Sequence, residues 1–115
     1  MSNGDLYDEF VERVTANEAF PTIGANSAVR RELTIDLSGV QKISIRLKKP
    51  LPVVDVEVVC TAVYNNVQIN SSFTEIPVSI CSLGSTYNGL CIQVSSRGAP
   101  WMNGGIVELE IKYHY

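Results

Sequence analysis

The side chains from which an active site could be built are few and scattered. They are one histidine, His114, three cysteines, Cys60, Cys81 and Cys91, and two carboxylate pairs, Asp55 with Glu57 and Glu108 with Glu110. A nucleophilic site would need His114 held by a carboxylate and set beside a serine or cysteine. Yet His114 is next to the last residue and falls on the polar parity of an alternating segment, which reads as a solvated histidine. No G-x-S-x-G, H-E-x-x-H, Walker or G-x-G-x-x-G pattern nominates a partner. The cysteines are too widely spaced for zinc knuckles. Members of each carboxylate pair stand two apart on a strand and share one face. Glycosidase chemistry would need such groups about 5–10 Å apart across a cleft. Facing Arg30, Arg46, Lys48 or Lys112 across strands is the simpler role, contributing at most about 1 kcal/mol per pair. The expectation is a chain with no catalytic residue, no metal and no cofactor.

The aromatic residues are better candidates. Trp101 lies between Pro100 and Met102 in a glycine-flanked loop, where a core residue would not be expected, and Tyr87 sits in a second loop. Tyr113 and Tyr115 end the last strand. Exposed aromatics on a β domain stack on sugar rings or anchor protein interfaces. Trp101 could equally fold over the open end of its own domain.

The elements that must position these residues are strands. In Val53–Tyr64, alternate residues Val54, Val56, Val58, Cys60, Ala62 and Tyr64 are all apolar. The other parity is charged at Asp55 and Glu57 and apolar from Val59. That pattern predicts a central strand with one face buried throughout and the other covered only in its second half. Clean alternation in 29–37 and 41–49, with Leu33, Ile35, Leu37, Ile43, Ile45 and Leu47 inward, predicts antiparallel strands with one wet face. Pro50 and Pro52 stop the second of these. Asn65-Asn66 suits a turn. The segment 67–73 and the Pro77-containing segment 76–80 read as edge strands, and 90–96 and 106–115 complete the set. Seven strands at roughly ten-residue spacing predict an all-β, antiparallel β-sandwich or jelly roll.

Residues 2–14 read as a short helix. Ser2 and Asp5 have capping-box spacing, Asp5, Asp8 and Glu9 crowd the first turns, and Leu6, Phe10 and Val14 form a stripe with Tyr7 and Val11 beside it. Residues 15–28 carry no periodicity and read as a linker anchored by Phe20 and Ile23. The expected organisation is a helix and arm over 1–28 and a β-sandwich domain over 29–115. The arm is expected to make intermolecular contacts, so Leu6, Tyr7, Phe10, Val14, Phe20, Tyr87 and Trp101 are the candidate interface residues.

A chain of 115 residues can bury its own core. Charged residues are only 18 %, fewer than the roughly 25 % of an average domain, which suggests surface covered by a partner. A net charge of −3 argues against nucleic acid, because phosphate neutralisation needs clustered Lys and Arg. No run approaches membrane-spanning length and the first residues lack signal-peptide character, so the chain is expected in a cytoplasm with reduced thiols. A Cys81–Cys91 link across the intervening loop stays open on spacing alone.

This plan of an acidic chain with a short helix, an arm and a β-rich body without catalytic motifs resembles the small virion proteins of tailed bacteriophages, the capsid decoration or cement proteins in particular. The resemblance implies a non-enzymatic structural protein of the virion, made in the host cytoplasm, that forms homo-oligomers and binds a major capsid or tail protein. The competing class is a carbohydrate-binding β-sandwich module.

Overall fold

The computed structural model describes residues 11–33, 35–60, 65–80 and 90–115. Among these residues there are eight strands: β1 (Val11–Phe20), β2 (Ala28–Glu32), β3 (Lys42–Leu47), β4 (Val54–Cys60), β5 (Asn65–Ile69), β6 (Thr74–Pro77), β7 (Leu90–Ser96) and β8 (Gly105–His114). One 3-10 turn, Val78–Ile80, follows β6, and no α-helix occurs among the described residues. The strands form two antiparallel sheets of four, ordered β1-β8-β3-β6 and β2-β7-β4-β5.

Both sheets contribute to a single core. Alternation puts Ile43, Ile45, Val107, Leu109 and Ile111 inward from the first sheet and Val56, Val58, Ile92 and Val94 from the second. All nine are at most 2 % exposed, so their burial supplies most of the driving force, at about 25 cal/mol per Å². β4 is interior to its sheet, between β7 and β5, as its unbroken apolar parity requires. Val59, on its outward parity, is also buried at 4 %, which matches the expectation that both faces are covered near the strand's end. β5 and β6 are edge strands, and Pro77 sits on the outermost one, where its missing N–H costs no ladder bond.

Four expectations are corrected. The helix over 2–14 is not found where it can be followed: Val11–Val14 are strand, and residues 2–10 lie outside the described residues. The linker over 15–28 is strand as far as Phe20 and becomes strand again at Ala28. Residues 11–20 pair in register with β8 from Val11↔His114 to Phe20↔Gly105, which makes eight strands rather than seven. The reason is physical: one cross-strand partner per residue outweighs the marginal stability of a three-turn helix. Trp101, read as a loop residue outside the core, is 9 % exposed and packs within it.

The chain entering β2 is fastened at several points. Ser96 donates its hydroxyl to the Gly24 carbonyl at 2.8 Å, and the Ser27 amide donates to Ser96 Oγ at 3.1 Å. Gly104 passes so close to β1 that a Cβ there would lie 2.3 Å from the Phe20 carbonyl oxygen, and its φ is +59°. Only glycine fits that crossing.

Candidate functional site

A groove runs beside β1. β1 ends its sheet: β8 holds one side of it, and among the described residues nothing pairs with the other. Between this free edge and the segment 35–38 lies a groove of about 600 Å³. It is lined by Val14 to Glu18 of β1, by Ile35, Asp36 and Ser38, and by Tyr113 and Tyr115. Register places Val14 opposite Ile111, Ala16 opposite Leu109 and Glu18 opposite Val107, so these three point to the core side of the sheet. Each is only half-buried, because the gap between the two sheets is open here.

The groove is acidic. Glu18 and Asp36 are its only charged lining residues among those described. Neither forms a salt bridge among the described residues. The Ser38 hydroxyl and then the Ser38 amide, at 2.9 Å from Oδ1, hold the Asp36 carboxyl below its ordinary pKa and therefore ionised at neutral pH. The rings of Tyr113 and Tyr115 meet edge to face, with centroids 6.4 Å apart at 83°. Tyr113 is buried at 6 % exposure and Tyr115 is half exposed.

Of the described candidate interface residues Val14, Phe20 and Trp101, only Val14 lines this groove. Phe20 is 5 % exposed and lies under the Arg31 guanidinium, 5.6 Å from the ring centroid. Phe20 and Trp101 thus bury their surface within the chain's own fold. Leu6, Tyr7, Phe10 and Tyr87 lie outside the described residues. The groove's carboxylates were not singled out by sequence, since Glu18 and Asp36 sit in segments whose pairing only the tertiary structure brings together.

The remaining chemical residues are dispersed. His114 is not simply solvated: its Nε2 lies 2.8 Å from the hydroxyl of the buried Ser44 on β3. No carboxylate hydrogen-bonds His114 among the described residues, so the pair lacks the third member of a triad. Arg46 pairs with Glu110 at 3.1 Å, Lys49 with Glu108 at 3.7 Å and Arg97 with Asp55 at 3.4 Å. These carboxylates therefore serve the outer faces of the sheets, each pair contributing under about 1 kcal/mol at such exposure. Phe73, 36 % exposed, lies under Arg46 and Lys112, at 4.9 and 4.2 Å from its centroid. Cys60 and Cys91 share no disulfide with each other, and the Cys81–Cys91 link left open by spacing involves a residue outside the described set.

Among the described residues, no three of His, Cys, Asp and Glu converge to hold a metal ion. No helix among them is long and apolar enough to cross a membrane. Compared with protein-family models, curated proteins and solved structures, the chain matches none of them.

Proposed function

We propose that this chain is a non-enzymatic assembly protein of a virion, of the capsid decoration type, which self-associates and binds a protein shell through the β1 side of a jelly-roll body. The observation that carries the reading is the strand order. β1-β8-β3-β6 facing β2-β7-β4-β5 has each sheet built from strands distant in sequence, as in an eight-stranded roll of two Greek keys. That architecture recurs in viral capsid proteins. A long free edge strand with an open groove beside it is a natural attachment site for another protein.

Lectins use the same architecture, and a second reading, a carbohydrate-binding module, draws on Tyr115 standing beside the groove's carboxylates. It is the weaker one, because Tyr113 turns no ring face to solvent and Trp101 is buried.

Light scattering on the purified chain from dilute to concentrated solution, paired with a glycan array, separates the two. An oligomer that retains no glycan supports the assembly reading. A monomer at every concentration that binds a defined saccharide overturns it.

A further inference from the structure

We propose that the groove beside β1 accepts an extended, basic and apolar segment of a partner protein, which pairs with the free edge of β1 as a fifth strand of that sheet. The proposal rests on the assembly reading and names the chemistry of the partner's contact.

Three observations select this occupant. First, β1 is ten residues long, about 33 Å of strand, and among the described residues its outer edge is unpaired. Such an edge presents amides and carbonyls at the regular repeat of a β-ladder, which a peptide backbone matches and a sugar does not. Second, the core-side wall is apolar at Val14, Ala16 and Ile35 and then carboxylate at Glu18. An entering strand therefore needs apolar side chains at two alternate positions and a cation two residues beyond them at the Glu18 end, which comes before the apolar pair if it runs antiparallel to β1 and after it if parallel. Third, Glu18 and Asp36 both line the groove, and no lysine, arginine or histidine does so among the described residues. Two carboxylates facing one cleft favour a cationic occupant.

The same charges exclude the nearer alternatives. Residues 1–10 hold Asp5, Asp8 and Glu9 and no lysine or arginine, so the first segment of a second copy would bring carboxylates to carboxylates. Two copies joined groove to groove about a two-fold axis would enclose a void, because each face is concave there.

The test is selection of ten-residue peptides from a random library on the immobilised full chain, followed by affinity measurement with variants. The expected peptides carry two alternate valine- or isoleucine-like residues with Lys or Arg two positions beyond them, on the N-terminal side for antiparallel entry and the C-terminal side for parallel entry. Glu18→Lys should weaken them at least about tenfold, and peptides with Glu in place of that cation should regain the affinity. Glu57→Lys, on the outward face of the other sheet, should change nothing. If Glu18→Lys fails to fold, Asp36→Lys on the exposed segment gives the same reading. Peptides that bind but ignore both reversals overturn the groove while leaving the assembly reading intact. Acidic or unpatterned peptides do the same. A chain that retains no peptide but retains a glycan overturns both.

Discussion

Ile23 and Trp101 exchange both backbone hydrogen bonds, Ile23 N–H to Trp101 O at 3.1 Å and Trp101 N–H to Ile23 O at 2.8 Å. This single antiparallel bridge ties the chain leaving β1 to the loop before β8. Thr22 adds a hydroxyl bond to the Met102 carbonyl. The indole is thereby drawn under the chain: its edge lies 2.8 Å from where a Cβ of Gly105 would be. Trp101 is thus a clamp on the end of β1 rather than an exposed anchor.

Trp101→Ala should therefore cost about 3–5 kcal/mol in urea unfolding, the range for deleting a large buried aromatic. An exposed interface tryptophan would cost almost nothing in the isolated protein, so a loss well below 1 kcal/mol would place the ring outside the core.

Val53 has φ +53°, a left-handed conformation that a β-branched residue seldom adopts. Its carbonyl is held there by the Arg97 amide at 3.0 Å, and its side chain is 39 % exposed, so little burial compensates. Left-handed geometry costs an ordinary residue about 1–2 kcal/mol, and asparagine tolerates it better. Val53→Asn should raise stability by about 0.5–1 kcal/mol, seen as a higher thermal midpoint. A lower midpoint would contradict the left-handed assignment.

The two described thiols should differ in reactivity. Cys60 is wholly buried. Cys91 is half-buried, and desolvation pushes its pKa up, opposed by the nearby Arg30 charge and reinforced by Glu32 and Cys60. Thiolate is the reactive form, so a raised pKa moves reactivity to higher pH. A disulfide reagent should modify Cys91 slowly at neutral pH, with a rate still rising above the usual thiol pKa of about 8.5, and Cys60 only after unfolding. Rapid reaction of Cys91 at neutral pH would show that its outward face is open to water.

Much of the sheet structure was legible in the sequence because each central strand has one apolar parity without a break. Ile43, Ile45 and Leu47 on β3, or Val107, Leu109 and Ile111 on β8, admit only one facing, and the structure buries every one of them. β1 was not legible. Its core-side residues Val14, Ala16, Glu18 and Phe20 give no such pattern, while Leu6, Phe10 and Val14 fall at helical spacing. What makes Val11–Phe20 a strand is β8, whose paired residues lie 85 to 103 positions away, and local propensity carries no trace of it. The groove was hidden for the same reason, since Glu18 and Asp36 come to line one groove only once β1 joins the sheet.

Amide hydrogen exchange along β1 in the protein alone, resolved residue by residue by NMR, tests the central claim most directly. An edge strand bonds to its neighbour through alternate residues only. Between Arg13 and Glu18, amides turned to β8 should be strongly protected, and those turned to the groove should exchange nearly as fast as in an open chain. That alternation, filled in to uniform protection when a selected peptide is added, is the expected result. Uniform protection in the protein alone at high dilution would contradict the account, because the edge would already be paired. So would uniformly fast exchange, because β1 would then be no strand at all.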